Sequence, residues 1–435
     1  MKKARFWAIS FLLLLFLLSL ATLIMLGFTQ VETSPNGVHT RLLVPAGGQS
    51  SVGIHIYSGT GDTPHLPGFL DGPVVRVDKA GNWAATWFCE DRALHRRGSD
   101  THLAIECGGQ ARTFAIKAAA PAQPAEIAMP RKLLVLSDIE GNARFLDAAL
   151  RELGVIDANG DWGYGDGHLV IAGDSVDRGR EVFAVLWRLH GLSAAAAVQG
   201  GAVHVLLGNH EQYMLLGNTS RAHREHIYTM VRMGGERQAL GADTVLGAWL
   251  RAQPVALRAG DVLFTHAGIS PEVAARGATL QQMNSAMNKY WRGMALPGAA
   301  LDAAIGEGGV TQYRGYVPME EERFPQASTA QLDRVLKQYG ARTMVVGHTP
   351  VERITPLYDG RMYAIDVNTD TAASQALLFE DGKPRVLELG ARRALPDERA
   401  GRRHRAIDLT SRDDWEMLGR FVQRGWELSR LPYPY

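Results

Sequence analysis

Apolar and polar positions divide this chain into stretches of different texture. The first runs from Phe6 to Phe28 without a charged residue, behind Lys2, Lys3 and Arg5. As a helix rising about 1.5 Å per residue it would reach roughly 34 Å, enough to cross a bilayer. The basic flank favours a cytoplasmic N-terminus, so everything after Phe28 would be exported. The run is longer than a usual signal core and no small-x-small cleavage site follows it. An uncleaved anchor at 1–28 is therefore expected ahead of a cleaved signal peptide. Residues 29–120 alternate in short runs such as "VGIHIYSG", "PVVRVDKAGNWAATWFC" and "THLAIEC", broken by Gly, Pro and Asp. Period two between turn residues predicts a small all-β, sandwich-like domain. The Ala- and Pro-dominated "KAAAPAQPAEIAMP" that follows predicts a semi-stiff linker at 121–130.

From Arg131 to about residue 390 the texture changes. "KLLVLSD" precedes "ARFLDAALREL", "HLVIAGD" precedes "REVFAVLWRLH", and "VHVLLGN" precedes "HEQYMLL"; "DVLFTHA" and "RTMVVGHTP" come later. Strand, polar loop and helix in repetition predict an α/β core with buried strands. "MYAIDVN", "ALLFEDG" and "PRVLELG" predict a closing β meander. Residues 391–435 begin with the arginine-rich "ARRALPDERAGRRHR", expected to be exposed, and end in an amphipathic helix within "DDWEMLGRFVQRGWELSRL".

Composition changes this picture little. The chain has 435 residues, enough for two or three domains, and a formal net charge of +1. No global field calls for a nucleic-acid partner. The two cysteines, Cys89 and Cys107, both lie in the predicted β domain. An exported chain meets an oxidising compartment, where such a pair can bridge.

Chemistry enters at the ends of the apolar runs. Asp138, Asp174, Asn209, His266 and His348 each follow a different predicted strand. In α/β folds, residues at carboxyl ends of strands gather at one site. Oxygen and nitrogen donors of this kind are the set a hard or borderline divalent cation takes. Two such cations sharing a carboxylate form a phosphoester clamp. No GxSxG elbow and no phosphate-binding GxxxxGK[ST] loop is present.

The blocks "GDSVDRG" at 173–179, "LLGNHE" at 206–211, "THAG" at 265–268 and "VVGHTP" at 345–350 resemble, in content and order, the calcineurin-like metallophosphoesterase superfamily. "GDSVDRG" with "GNHE" and "QYRGY" at 312–316 resembles its phosphoprotein phosphatase-like branch, and among those the bacterial Shewanella-like phosphatases. The resemblance covers roughly 131–390. It implies an α/β fold with a β-sandwich flanked by helices, and two divalent metal ions. Asp174 would bridge the metals, Asp138 would hold the first, and Asn209, His266 and His348 would complete the second. His210 would give a proton to the leaving group, Asp177 would orient His210, and Arg178 and Arg314 would grip phosphate alongside Asn209. The reaction implied is hydrolysis of a phosphate monoester by a metal-activated water. The expected substrate is a phosphorylated protein (Ser/Thr or Tyr) or a small phosphoester. A nucleotide or dinucleoside polyphosphate hydrolase and a non-catalytic membrane-tethered binding module are the alternatives. Lipid of a bacterial inner membrane is the expected partner of the N-terminal helix, with the catalytic domain facing the periplasm.

One letter departs from the resemblance. "SDIEGN" at 137–142 places Glu140 where a histidine on the first metal is expected. Glu140 as a ligand would turn the site toward Mn²⁺, Mg²⁺ or Ca²⁺ and away from Zn²⁺, because carboxylate is a harder donor than imidazole; Mn²⁺ is favoured of the two-metal options, which also include Fe, Mg²⁺, Zn²⁺ and Ca²⁺. A single tight metal and a degenerate, non-catalytic phosphate site are the other readings. "RAHREHIYTMVRMGGERQAL" at 221–240 is expected to be a solvated helical insert ahead of a substrate groove. Tyr313 and Tyr316 flank Arg314, as pocket walls or as packing.

Overall fold

The computed structural model describes residues 2–33, 39–47, 50–57, 69–116, 123–318, 324–369, 372–393 and 403–429. They form two compact units. The larger comprises 65–217 and 221–395; the smaller comprises 1–64, 218–220 and 396–435.

In the larger unit the buried apolar runs form strands. Lys132–Leu136, His168–Ile171 and Ala202–Val205 pair in parallel, with Leu134 beside Leu169 and Leu169 beside Val203. Parallel neighbours need crossovers, which the helices Ala143–Glu152 and Val182–Val198 supply. Gln375–Glu380 and Lys383–Glu388 complete a five-stranded sheet on the other edge of Lys132–Leu136. A six-stranded sheet is built around Val262–Thr265 and Thr343–Val346. Leu133, Val135, Val170, Leu377 and Phe379 from the first sheet share one core with Leu257, Phe264 and Val345 from the second, each at most 1% exposed. The two sheets therefore pack as a sandwich, as expected.

Four expectations change. The closing strands are not one meander: Met362–Ala364 lies in the six-stranded sheet and the next two strands in the five-stranded one. The switch carries Asp366 into the interior between them. The linker is not free either. Glu126–Ile127 pairs in parallel with Arg258–Ala259, and Gln123 donates to the Val203 carbonyl at 2.9 Å. Its backbone N–H and C=O groups complete a sheet edge despite the composition.

Residues 29–120 do not form a single sandwich. Gln30–Thr33, His39–Gly47 and Ser50–Tyr57 pair with one another, and Gln30–Thr33 also pairs with Arg403–Ala406 from the tail. This sheet belongs to the smaller unit. Leu70–Val77, Trp83–Cys89 and Arg92–Gly98 form a separate three-stranded sheet in the larger unit, next to the hairpin His102–Cys107 and Gln110–Ala115. A Cys89–Cys107 disulfide joins sheet and hairpin. Alternation identifies a strand but not the edge it completes, and here one edge comes from the far end of the chain.

The insert at 221–240 is not solvated. Helix Arg224–Arg232 buries His226 and Thr229 completely. Both donate to the buried Asp71 carboxylate of the three-stranded sheet, His226 Nδ1 at 2.8 Å. Phe88 meets Tyr228 edge-on at 5.7 Å. Polar side chains go inside when a buried acceptor supplies their hydrogen bonds, and that acceptor lies in a different element.

Candidate metal centre

The site is made by the loops that leave the strands. Asp138 and Glu140 follow Lys132–Leu136, Asp174, Asp177 and Arg178 follow His168–Ile171, and Asn209 and His210 open a helix after Ala202–Val205. His266 follows Val262–Thr265 and His348 follows Thr343–Val346. The chain turns sharply there. Asp138, Glu140, Asp174, Asp177, Arg178 and His348 have φ between 49° and 72°, the left-handed region that costs side-chain-bearing residues about 1–3 kcal/mol each. Interlocking backbone bonds hold them: Asp138 N–H to the Gly173 carbonyl at 3.1 Å, Glu140 N–H to Asp174 at 3.0 Å, and Gly179 N–H to Glu140 at 2.8 Å. Glycine is required where loops touch. A Cβ on Gly208 would collide with the Asp174 carboxylate, and one on Gly347 with that of Asp138.

These turns bring the predicted donors together. Asp174 Oδ2 lies 3.1 Å from His266 Nε2, which lies 3.1 Å from Asn209 Oδ1 and 3.0 Å from His348 Nδ1. Asp138 accepts the His348 N–H at 3.2 Å. All are buried. Asp174, His266 and His348 form one group able to hold an ion, and Glu140, Asp174 and His210 form a second, with Asp174 common to both. The surroundings fit a cation. His266 Nδ1 donates to the Ala172 carbonyl at 2.9 Å, so its Nε2 faces the cluster. His348 Nε2 contacts the Gln312 carbonyl at 3.2 Å, leaving Nδ1 inward. Burial pushes the Asp138 carboxyl up to about 7, against His266 and with Asp174 and Glu140. Burial opposes a charge on His266, yet Asp174 and Asp138 hold that imidazole up to about 10. Crowded carboxylates that raise a neighbour's affinity for positive charge this far mark a place for a divalent ion.

Beside the cluster, His210 Nδ1 bonds Asp177 Oδ2 at 2.9 Å, and both side chains are buried. Burial disfavours the imidazolium, but Asp174, the Asp177 hydrogen bond and Glu140 hold it up to about 9. Arg178 Nε pairs with Glu140 Oε1 at 2.8 Å, and Asn368 donates to the other oxygen of Glu140. Burial pushes Glu140 up to about 7 against the pull of Arg178 and His210. Arg314 Nη1 donates to the His348 carbonyl at 2.8 Å, so its guanidinium lies next to the cluster. Tyr316 is packing, fully buried with its hydroxyl on the Ile269 carbonyl at 2.7 Å.

Four residues with no role in the sequence reading also shape the site. Glu211 is fully buried and accepts from the backbone N–H groups of Asp174, Ser175 and Gly208 at 2.6–3.0 Å. It locks two loops together, and its place in "GNHE" was its only signal. Asp366 is buried beside Asp138, and its Oδ1 has no hydrogen-bond partner among the described residues. Burial, then Asp138, pushes its carboxyl well above the usual range. Asn368 follows in the same loop. Arg393 comes from the start of the arginine-rich tail, the rest of which to 402 lies outside the described residues. Its guanidinium sits 4.1 Å from the Phe145 ring centroid and donates to the carbonyls of Asp138 at 2.5 Å and Ser137 at 3.1 Å. Nothing in "ARRALP" distinguishes this arginine from its exposed neighbour Arg392.

Comparison with known proteins agrees with this geometry. Residues 131–352 match the family model of calcineurin-like phosphoesterases. The chain is 25% identical over 311 residues to Shewanella-like protein phosphatase 2 of Arabidopsis thaliana, covering 60% of this chain and 75% of that protein. A shorter stretch of 103 residues is 34% identical to a symmetrical bis(5'-nucleosyl)-tetraphosphatase of Methylococcus capsulatus, covering 24% of this chain and 33% of that protein. Among solved structures, the cold-active protein-tyrosine phosphatase of a psychrophilic Shewanella species superposes with a TM-score of 0.64 at 30% identity, over 74% of this chain and all of that one. The matched segment takes in every donor of the cluster, together with His210, Asp177 and both arginines, and the chain belongs to the calcineurin-like phosphoesterases, hydrolases of phosphoester bonds that use divalent metal ions.

Proposed function

We propose that this protein is a phosphatase of phosphoproteins, with Tyr or Ser/Thr phosphate as substrate, held to a membrane by its N-terminal helix. The observation that carries the catalytic reading is the His210–Asp177 pair at 2.9 Å, buried at the edge of the Asp174–His266–His348 cluster. Asp174, Asn209, His266 and His348 would hold one metal, and Asp138, Glu140 and Asp174 the other. Bound there, the metal pair supplies charge neutralisation and activates water. The protein's own groups do the rest. Arg178 and Arg314 place guanidinium groups where they can bind phosphate oxygens, Arg178 being oriented by Glu140. His210, kept cationic by Asp174 and Asp177, presents Nε2 as a proton donor to the departing alkoxide or phenolate. The carboxylate-rich first site favours Mn²⁺.

The phosphoprotein reading is supported by likeness to proteins named protein phosphatases, across three quarters of the Arabidopsis protein (75%) and all of the Shewanella one (100%), whereas the dinucleoside tetraphosphatase is matched over a third of its length (33%). The anchor reading is supported by a helix of 26 residues, Lys2–Gly27, whose stretch Arg5–Gly27 is long and apolar enough to cross a membrane. It would place the catalytic unit outside the cytoplasm. The test is a substrate panel of para-nitrophenyl phosphate, phosphotyrosine and phosphoserine peptides, and dinucleoside tetraphosphate, with Mn²⁺ supplied. Phosphopeptide turnover is expected to fall about 100-fold or more in His210→Ala while the fold is kept. Turnover of the dinucleotide alone would overturn the substrate reading. Wild-type activity in His210→Ala would overturn the mechanism.

A further inference from the structure

Among the described residues, the smaller unit carries an exposed apolar line beside its core. The C-terminal helix Arg412–Ser429 turns Met417, Leu418 and Phe421 onto Val31 and Leu42. That spacing is the inward stripe of an amphipathic helix. Beside it, Trp415, Val422 and Trp426 recur at i, i+7 and i+11 and are 50%, 74% and 61% exposed. A single exposed apolar side chain is ordinary, but two tryptophans and a valine aligned along one helix form a patch. The Trp415 indole N–H is satisfied by the Leu409 carbonyl at 2.8 Å, so that ring offers mainly carbon to its surroundings.

The neighbouring element indicates what covers this line. Arg5–Gly27 is 23 residues long, and an 18-residue window of it has a mean hydropathy of 2.8 and no buried residue. Its last turn enters the same core: Leu26 packs against the cluster formed by Val31, Leu42, Met417, Leu418 and Phe421. The Thr29 N–H closes onto the Leu26 carbonyl at 3.1 Å, so the chain passes directly from the apolar helix into the sheet. The C-terminal helix thus packs within side-chain reach of the residue at which a spanning helix would leave the hydrocarbon. At that depth tryptophan is the favoured side chain, and a helix with an apolar edge lies in the plane of the interface.

We infer that the C-terminal helix is an interfacial membrane helix, with Trp415, Val422 and Trp426 seated at the headgroup–acyl boundary of the bilayer that the N-terminal helix spans. The inference rests on the anchor reading given above. It makes the first and last helices of the chain a two-point attachment to one lipid surface.

The full chain in phosphatidylglycerol–phosphatidylcholine vesicles tests this. Nitroxide labels are placed through Val422→Cys, Asp413→Cys or Phe16→Cys, one per variant; the native cysteines are tied up in the disulfide. Positions 413 and 422 are nine residues apart, half a revolution around a helix. Collision with oxygen, which enters lipid, is compared with collision with an aqueous nickel chelate. The expected result is a shift toward oxygen at 16 and 422 and toward nickel at 413. A lipid signal at 16 with an aqueous signal at 422 would overturn the interfacial helix alone. A label at 422 shielded from both probes would show protein covering the line and would also overturn it. Aqueous signals at both 16 and 422 would overturn the anchor and the interfacial helix together.

Discussion

Glu140 stands where the sequence resemblance leads one to expect an imidazole, and its two oxygens already face Arg178 and Asn368. It is also within ligand range of Asp174 and His210. These contacts are compatible if the carboxylate both orients the phosphate-binding arginine and contributes a hard donor to the first metal. Glu140→His is then expected to raise affinity for Zn²⁺ relative to Mn²⁺, as imidazole is the softer donor. Calorimetric titration of metal-stripped protein reads this directly, and an unchanged Zn²⁺-to-Mn²⁺ affinity ratio would remove Glu140 from the ligand set. The residue scale is where the sequence was most informative. Asp138, Asp174, Asn209, His266 and His348 were legible because each ends an apolar run. Asp366 and Arg393 were not, because a buried charge in a loop has no period to reveal it.

Among the elements, the Asp71–His226–Thr229 cluster joins the three-stranded sheet to the helical insert inside the larger unit. Asp71→Ala leaves two buried donors without their acceptor and is expected to cost about 3 kcal/mol of stability, measured by urea unfolding. A loss under about 1 kcal/mol would mean that the insert is held by its apolar contacts instead. A second element-level prediction concerns the edge of the five-stranded sheet. His204 is buried, donates to Gln123 through Nδ1 at 2.7 Å, and accepts from His168 at 3.0 Å. Burial, then His168, lowers its pKa to about 4. An unfolded histidine titrates near 6.5, so both states are neutral above that pH and the packing is fully stabilising. Between pH 6.5 and 4 the unfolded chain binds a proton that the folded chain refuses. Stability should therefore fall by on the order of 3 kcal/mol across this window. His204→Asn should flatten the loss, and parallel pH profiles for variant and wild type would rule it out.

For the molecule as a whole, the disulfide closes an 18-residue separation between the three-stranded sheet and the adjoining hairpin. Loops of that size correspond to about 3 kcal/mol of chain entropy removed from the unfolded state. Reduction in the full chain is expected to lower its unfolding midpoint, while turnover at 25 °C persists, since neither cysteine is among the candidate metal donors. Equal stability with and without reductant would show that the hairpin is held without the bond. The organisation into two units depends on pairings between opposite ends of the chain. Gln30–Thr33 needs Arg403–Ala406, and Val31 needs Phe421.

The amino-acid sequence by itself determined the phosphoester-hydrolase class, the candidate donors, and the strand–loop–helix order that carries them. These are local: a donor at the end of an apolar run and a period of two or 3.6 are written in consecutive residues. Only the tertiary structure decided which sheet each outer strand joined, that the linker and the insert are structural, and that Glu140, Arg178, Asn368 and Arg393 meet at one strand end. Those outcomes depend on contacts between residues far apart in the chain, such as Arg393 on the Asp138 carbonyl 255 positions away, and no window of sequence contains them.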